Sequence, residues 1–228
     1  MAVPGRGDPP PAAEPASRAA RLAGARPWGR HATEAAAGVG LLGLGTLLLS
    51  DRVDTVPGWE IDVFEAVNGL PDALRWPIWP VMQLGSFWML VGGAVVAWLV
   101  TRRRRPVYAT VATVLLAWTL ARVVKRAIDR GRPGDLLDTV RLRESGLEGH
   151  GFVSGHATVA FAVATVLTPL LPHRWRWLPF TLACGVAFAR VYYGAHLPLD
   201  VVGGAGLGIL CGLAASIAIG TIDPLHDR

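Results

Sequence analysis

Residues 198–219 read PLDVVGGAGLGILCGLAASIAI. Only Asp200, near the start, carries charge, and the run is long enough for a helix to cross a hydrocarbon core of ~30 Å. Gly204, Gly208 and Gly212 recur every four residues, a small-residue stripe that lets helix backbones approach closely in a membrane. Packing within the chain is the first reading of this stripe, and a homodimer face is the second.

Working outward, five further apolar blocks have similar length: Thr33–Leu49, Pro77–Val100, Val107–Val124, Val153–Leu171 and Leu178–Tyr193. Six blocks of about 20 residues each predict an all-α integral membrane six-helix bundle with short connections. Residues 1–30, rich in Pro, Ala, Gly and Arg without aliphatic periodicity, predict a disordered cytoplasmic N-terminal tail. Residues 31–220 form the six-span domain, and 221–228 a short cytoplasmic tail. Ser50-Asp51-Arg52 offers no small-x-small cleavage site, so the first block reads as an uncleaved helix and not a signal peptide. Residues 51–76 read as a polar, partly helical loop in which Glu60, Asp62 and Glu65 form a solvated face.

The chain of 228 residues carries a net charge of +5. Such a balance first suggests nucleic acid as a partner, but the arginines sit in short segments between apolar blocks, which is the pattern of a positive-inside bias. With the N-terminus cytoplasmic, Arg6, Arg18, Arg21, Arg26, Arg30, Arg102–Arg105, Arg174, Arg176 and Arg228 fall inside, while the outer side holds Arg52 and Arg75 and, in the long loop, Arg122, Lys125, Arg126, Arg130, Arg132, Arg141 and Arg143, which weaken the bias and admit another purpose. Membrane lipids, not nucleic acid, are the expected surroundings, and Trp98, Trp175 and Trp177 lie near block ends as an aromatic belt does. Cys184 and Cys211 both fall inside apolar blocks, away from ligand spacing, and read as small packing residues. Lys125 is the only lysine.

Three polar clusters fall at outer block ends. The first is Lys125-Arg126-Ala127-Ile128-Asp129-Arg130-Gly131-Arg132-Pro133. On a helix, Lys125 and Arg132 project from one face two turns apart, and Pro133 ends the helix. The second is Gly151-Phe152-Val153-Ser154-Gly155-His156, where a Ser-Gly pair before a helix presents backbone N–H groups to an anion. Its glycines lack the spacing of a serine-hydrolase elbow. The third is Arg190, His196 and Asp200. The last two stand four apart, so in a helical turn the carboxylate reaches the imidazole. Singly, each has an ordinary reading as solvated basic face, N-cap or capped interfacial histidine. Together they supply three cations, two histidines and an orienting acid on one predicted side, an inventory suited to phosphoryl transfer, whose transition-state charge must be met by fixed donors.

In this order, K-x6-R-P, S-G-H and R-x5-H-x3-D resemble the type 2 phosphatidic acid phosphatase superfamily of lipid phosphate phosphatases. Val153 stands where the family usually has proline, and Ala189 where serine often precedes the arginine. The resemblance implies that His196 attacks phosphorus and forms a phosphohistidine, that Asp200 orients it, and that His156 protonates the leaving oxygen. It further implies that Lys125, Arg132, Ser154, Gly155 and Arg190 hold the phosphoryl oxygens, with no metal and no cofactor. The implied activity is hydrolysis of a lipid phosphate or diphosphate at the outer face of the plasma membrane. Undecaprenyl diphosphate is the leading substrate, with phosphatidate or phosphatidylglycerophosphate as the near alternative. A phosphotransferase on the same scaffold and a non-enzymatic lipid binder are the competing classes.

Overall fold

The computed structural model describes residues 28–49, 55–145 and 149–220. The expectations for most of the N-terminal tail, for Ser50-Asp51-Arg52 and for residues 221–228 lie outside the described residues. The described elements are all helical: α1 (Trp28–Leu49), α2 (Gly58–Asn68), α3 (Arg75–Gln83), α4 (Met89–Thr101), α5 (Arg104–Ala127), the single-turn α6 (Pro133–Leu136), α7 (Gly155–Leu167), α8 (Leu178–Tyr192) and α9 (Pro198–Ile219).

α9 coincides with the quoted run. It is the centre of the bundle, packed chiefly against α7 and α1 and then against α5. The glycine stripe explains this. A Cβ at Gly204 would lie 2.7 Å from the Ser154 carbonyl oxygen, and one at Gly212 would lie 2.7 Å from that of Ala162, both on the α7 side. Gly206, on another face, meets the Gly38 carbonyl of α1 in the same way. The stripe therefore packs within the chain, and a dimer must use another surface. Around it, Val114 and Ala117 of α5, Val159 and Ala162 of α7, and Leu207 and Cys211 of α9 share one buried cluster. In water each such Val or Leu contributes about 1.5–3 kcal/mol. Between helices surrounded by hydrocarbon that term fades, and close packing of small residues takes over.

Among the described residues, two helices are long and apolar enough to cross a membrane, Arg104–Ala127 and Pro198–Ile219. α4 and the run Gly155–Leu170 are apolar but shorter. α4 is apolar on every side. Gly93 and Ala97 face inward, while Val91, Val95 and Leu99 lie exposed. A helix that is hydrophobic all round belongs in a core or against lipid. Trp98, Trp175 and Trp177 are exposed near helix ends; Cys184, midway along α8, is exposed too, which corrects its reading as a packing residue.

The expected span Pro77–Val100 is not one helix. It divides into α3 and α4 around a turn at residues 84–88, with Pro80 inside α3. A Cβ at Gly85 would lie 2.6 Å from the His156 carbonyl oxygen and 2.6 Å from a methyl of Val186. The chain bends where it touches α7 and α8, a tertiary contact that a hydropathy window cannot register.

Candidate active site

Four helix ends meet at one end of the bundle: the C-termini of α5 and α8 and the N-termini of α7 and α9. α9 begins at Pro198, whose fixed φ suits a first helical turn, and Asp200 follows in that turn. The Asp200 Oδ2 accepts from the Leu197 amide at 2.9 Å and faces the His196 Nδ1 at 3.4 Å. The expected carboxylate–imidazole pair is present, at the long limit of a hydrogen bond. Both residues are buried.

His196 is delivered by a tight connection from α8. The amides of Ala195 and His196 both donate to the Arg190 carbonyl, at 3.1 and 3.3 Å. Gly194 takes a φ of +74°, a conformation that favours glycine. Burial first, then the charges of Lys125, Arg190 and Arg132, hold the His196 imidazole well below its ordinary range. It is therefore a neutral base surrounded by cations.

Ser154 caps α7. Its Oγ accepts from the Ala157 amide at 3.5 Å, while its own amide donates to the Asp200 carbonyl at 2.9 Å. This last bond ties the two helix starts together and leaves Gly155 and His156 in the first turn of α7, where N–H groups and the dipole favour an anion.

Lys125 lies in the last turn of α5 and donates to the carbonyls of His150 and Gly151, at 2.8 and 3.2 Å. Arg132 does not share its helix, which corrects the expectation of one face two turns apart. α5 stops at Ala127, and Ile128 is extended. The following chain turns Arg130 into the interior. Arg132 then donates to the carbonyls of Gly149 at 3.0 Å and Ala195 at 3.1 Å. Burial, then Arg190, lowers the Arg132 guanidinium from its ordinary value. Arg190, buried in α8, donates to the Glu144 carboxylate at 2.6 Å. A basin of about 420 Å³ lined by Arg122, Lys125, Arg126, Arg132, Gly149 and His150 opens beside these groups. An apolar cavity of about 270 Å³, lined by Leu84, Met89, Ala160, Val163 and Ala183 among others, begins one helical turn from His156.

Glu60, expected on a solvated face, is completely buried, whereas Asp62 and Glu65 are exposed as expected. Glu60 grips Arg130 through both oxygens, at 2.7 and 3.3 Å, and its Oε1 also accepts from the Leu199 amide at 2.9 Å. Arg130 in turn donates to the Asp200 Oδ1 at 2.9 Å. Burial opposes the Arg130 charge, but the two carboxylates outweigh it and raise the guanidinium above its ordinary value. The signal was present in the sequence. Glu60 stands four residues before Phe64 and eight before Asn68, and these three form the buried face of α2. Asn68 accepts from the Arg141 amide, and Arg143 donates to the carbonyls of Asn68, Leu70 and Tyr192. The loop that carries Arg141 and Arg143 is thus clasped to α2 and to the end of α8.

The sequence model of the PAP2 superfamily matches residues 107–222, which contain every candidate site residue except Glu60. The chain belongs to the PAP2 superfamily. Among this protein's PAP2 relatives is the lipid A 1-phosphatase of Rhizobium johnstonii, 34% identical over 109 residues, covering 46% of this chain and 44% of that one. Another is the undecaprenyl-diphosphatase of Sulfolobus acidocaldarius, 33% identical over 112 residues, covering 48% and 54%. The chain spans about half the length of both. The crystal structure of Aquifex aeolicus LpxE superposes with a TM-score of 0.62 at 28% identity, covering 68% of this chain and 93% of that one.

Proposed function

We propose that this PAP2 protein is a lipid phosphatase of the plasma membrane that works through a phosphohistidine at His196. The observation that carries the reading is the surroundings of His196: a buried neutral imidazole with Asp200 behind its Nδ1, within the field of Lys125, Arg132 and Arg190. With the Nδ1 proton turned to Asp200, the Nε2 lone pair is free to attack phosphorus. An N–P bond forms as the bond to the leaving oxygen breaks, and His156, which takes up a proton from solvent as the anionic phosphate settles among the cations, gives that oxygen the proton. His156 then takes a proton from water, whose oxygen displaces the imidazole and releases phosphate. Lys125, Arg132, Arg190, the Ser154 hydroxyl and the Gly155 amide meet the charge on the phosphoryl oxygens. Glu144 occupies Arg190 in this state, and the incoming phosphate takes its place. The family membership and the relatives named for lipid A and undecaprenyl diphosphate support a lipid substrate, and the apolar cavity that starts at Ala160, one helical turn along α7 from His156, suits its tail.

We further infer six crossings, by α1, the broken pair α3–α4, α5, α7, α8 and α9, within a domain of residues 31–220. The N-terminus is cytoplasmic and the site faces outward, on the arginine distribution. Undecaprenyl diphosphate, a carrier lipid, is the best substrate on this reading, and phosphatidate or phosphatidylglycerophosphate is the second. The test is phosphate release from a panel of lipid phosphates and diphosphates by purified protein and by His196→Ala. The expected result is release from a diphosphate without any added acceptor, abolished in the variant. Turnover retained by His196→Ala overturns the reading, and release only with an acceptor makes the protein a phosphotransferase.

A further inference from the structure

We propose that Glu60 and Arg130 are positioning residues for the nucleophile, forming with Asp200 and His196 one buried relay that holds a negative charge in reserve for the imidazole. The inference rests on the assignment of His196 above. It starts from a fact that site-by-site reading does not explain. A glutamate on the outer-loop helix α2, an arginine on the loop after α5 and an aspartate at the start of α9 are all 0% exposed and bonded in series.

Isolated ions are expensive to bury, and a pair persists only where its geometry is good and its remaining polar atoms are satisfied. One guanidinium against one carboxylate would neutralise the interior. Here two carboxylates face one guanidinium, so the cluster keeps one negative charge. That charge also favours the nearby Lys125 and Arg132 cations, and catalysis gives it a further use. When the His196 Nε2 forms its bond to phosphorus while the Nδ1 keeps its proton, the ring becomes a cation in a buried site already lined by Lys125, Arg132 and Arg190. The excess charge compensates that cation as it develops.

The geometry divides the labour. Arg130 holds the Asp200 Oδ1, which turns Oδ2 to His196 and to the Leu197 amide. Glu60 grips Arg130 from the far side and, through the Leu199 amide, fixes the first turn of the helix that carries Asp200. Without the Glu60 charge, Arg130 belongs to Asp200 alone and withdraws its negative charge from the imidazole. Carboxylates standing behind metal-bound imidazoles typically govern about 10- to 100-fold in affinity or activity, and a loss of at least ~10-fold is expected for the same arrangement behind this imidazole.

The experiment uses full-length protein in detergent, with Glu60→Gln as the main variant. Glutamine keeps the size of the side chain and an oxygen for the Leu199 amide; it removes the charge and sets an NH2 against the Arg130 Nη2, so that half of the grip is lost with it. The expected result is a kcat ~10- to 100-fold lower, and slower formation of acid-labile phosphoenzyme in rapid quench. KM and the inhibition constant of orthophosphate stay within about threefold, because the phosphate cradle is untouched. Arg130→Lys, a point charge that cannot grip both carboxylates, is expected to repeat the signature. Asp62→Asn, exposed on the same helix, leaves turnover unchanged. A kcat for Glu60→Gln within twofold of wild type overturns the proposal. So does a loss matched by an equal fall in the folded fraction, which marks a structural role. His196→Ala, measured alongside, separates the two readings: if it retains turnover the site assignment fails, and if it is inactive while Glu60→Gln is normal only the relay fails.

Discussion

Replacing Asp200 with asparagine is the sharpest test of the site, because the structure leaves the amide no good orientation. The carboxylate accepts from three donors: the Leu197 amide and the His196 Nδ1 on Oδ2, and Arg130 on Oδ1. An asparagine that keeps its oxygen toward His196 and Leu197 turns its NH2 toward the Arg130 Nη1, 2.9 Å from the present oxygen, and two donors collide. Flipped, it satisfies Arg130 but turns its NH2 on the His196 Nδ1, which must then accept, so the proton moves to Nε2 and the lone pair needed for attack is lost. The wrong tautomer in an analogous Asp–His pair costs about 10⁴-fold in kcat, which is about 5.5 kcal/mol of barrier. The stability cost should be smaller than the ~3–5 kcal/mol of a fully broken buried pair, because Arg130 keeps Glu60. The assay is single-turnover phosphoenzyme formation on a lipid diphosphate, with thermal unfolding in the same detergent. A kcat within tenfold of wild type in a folded Asp200→Asn protein would refute the tautomer argument.

Other expectations follow from the same geometry. His156→Ala should slow hydrolysis of a lipid monoester, whose alkoxide leaves poorly, by about 10²–10⁴-fold, and hurt a diphosphate less; equal losses on both remove its role as acid. His196, held neutral when folded but protonated below its ordinary pKa of about 6.5 when unfolded, makes the unfolded state the greater proton binder in acid. Stability should therefore fall as pH drops through that range. Unfolding at pH 7 and pH 5 should show a smaller difference in His196→Asn than in wild type. Gly212→Val should cost about 1–3 kcal/mol by overpacking, since even a Cβ there meets the Ala162 carbonyl at 2.7 Å; an unchanged melting temperature would mean that α7 and α9 have slack.

Much of the site was legible because its chemistry is local. His196 and Asp200 are one helical turn apart, Ser154 stands where a cap belongs, and the three clusters carry spacings set by helix geometry. α9 matched the expected bounds for the same reason: its composition decides it residue by residue. The misreadings share one cause. Glu60 looked solvated because its neighbours Asp62 and Glu65 are, and its partner lies 70 residues away. Arg132 looked helical because the pull of Arg130 into the interior, which accompanies the end of α5 at Ala127, depends on that same partner. The break between α3 and α4 is set by contact with α7 and α8. Charges that pair across the fold, and bends made by a neighbouring backbone, leave no periodic trace.

The glycines of α9 have a consequence for how the molecule is made. This helix lies between α7 on one face and α1 on another, at distances that admit no side chain. It is also the last of the described helices to leave the ribosome. Until it docks, the backbones of α1 and α7 that its glycines meet lack that partner. Asp200 arrives on that helix, and the candidate site is completed only when the keystone slides home.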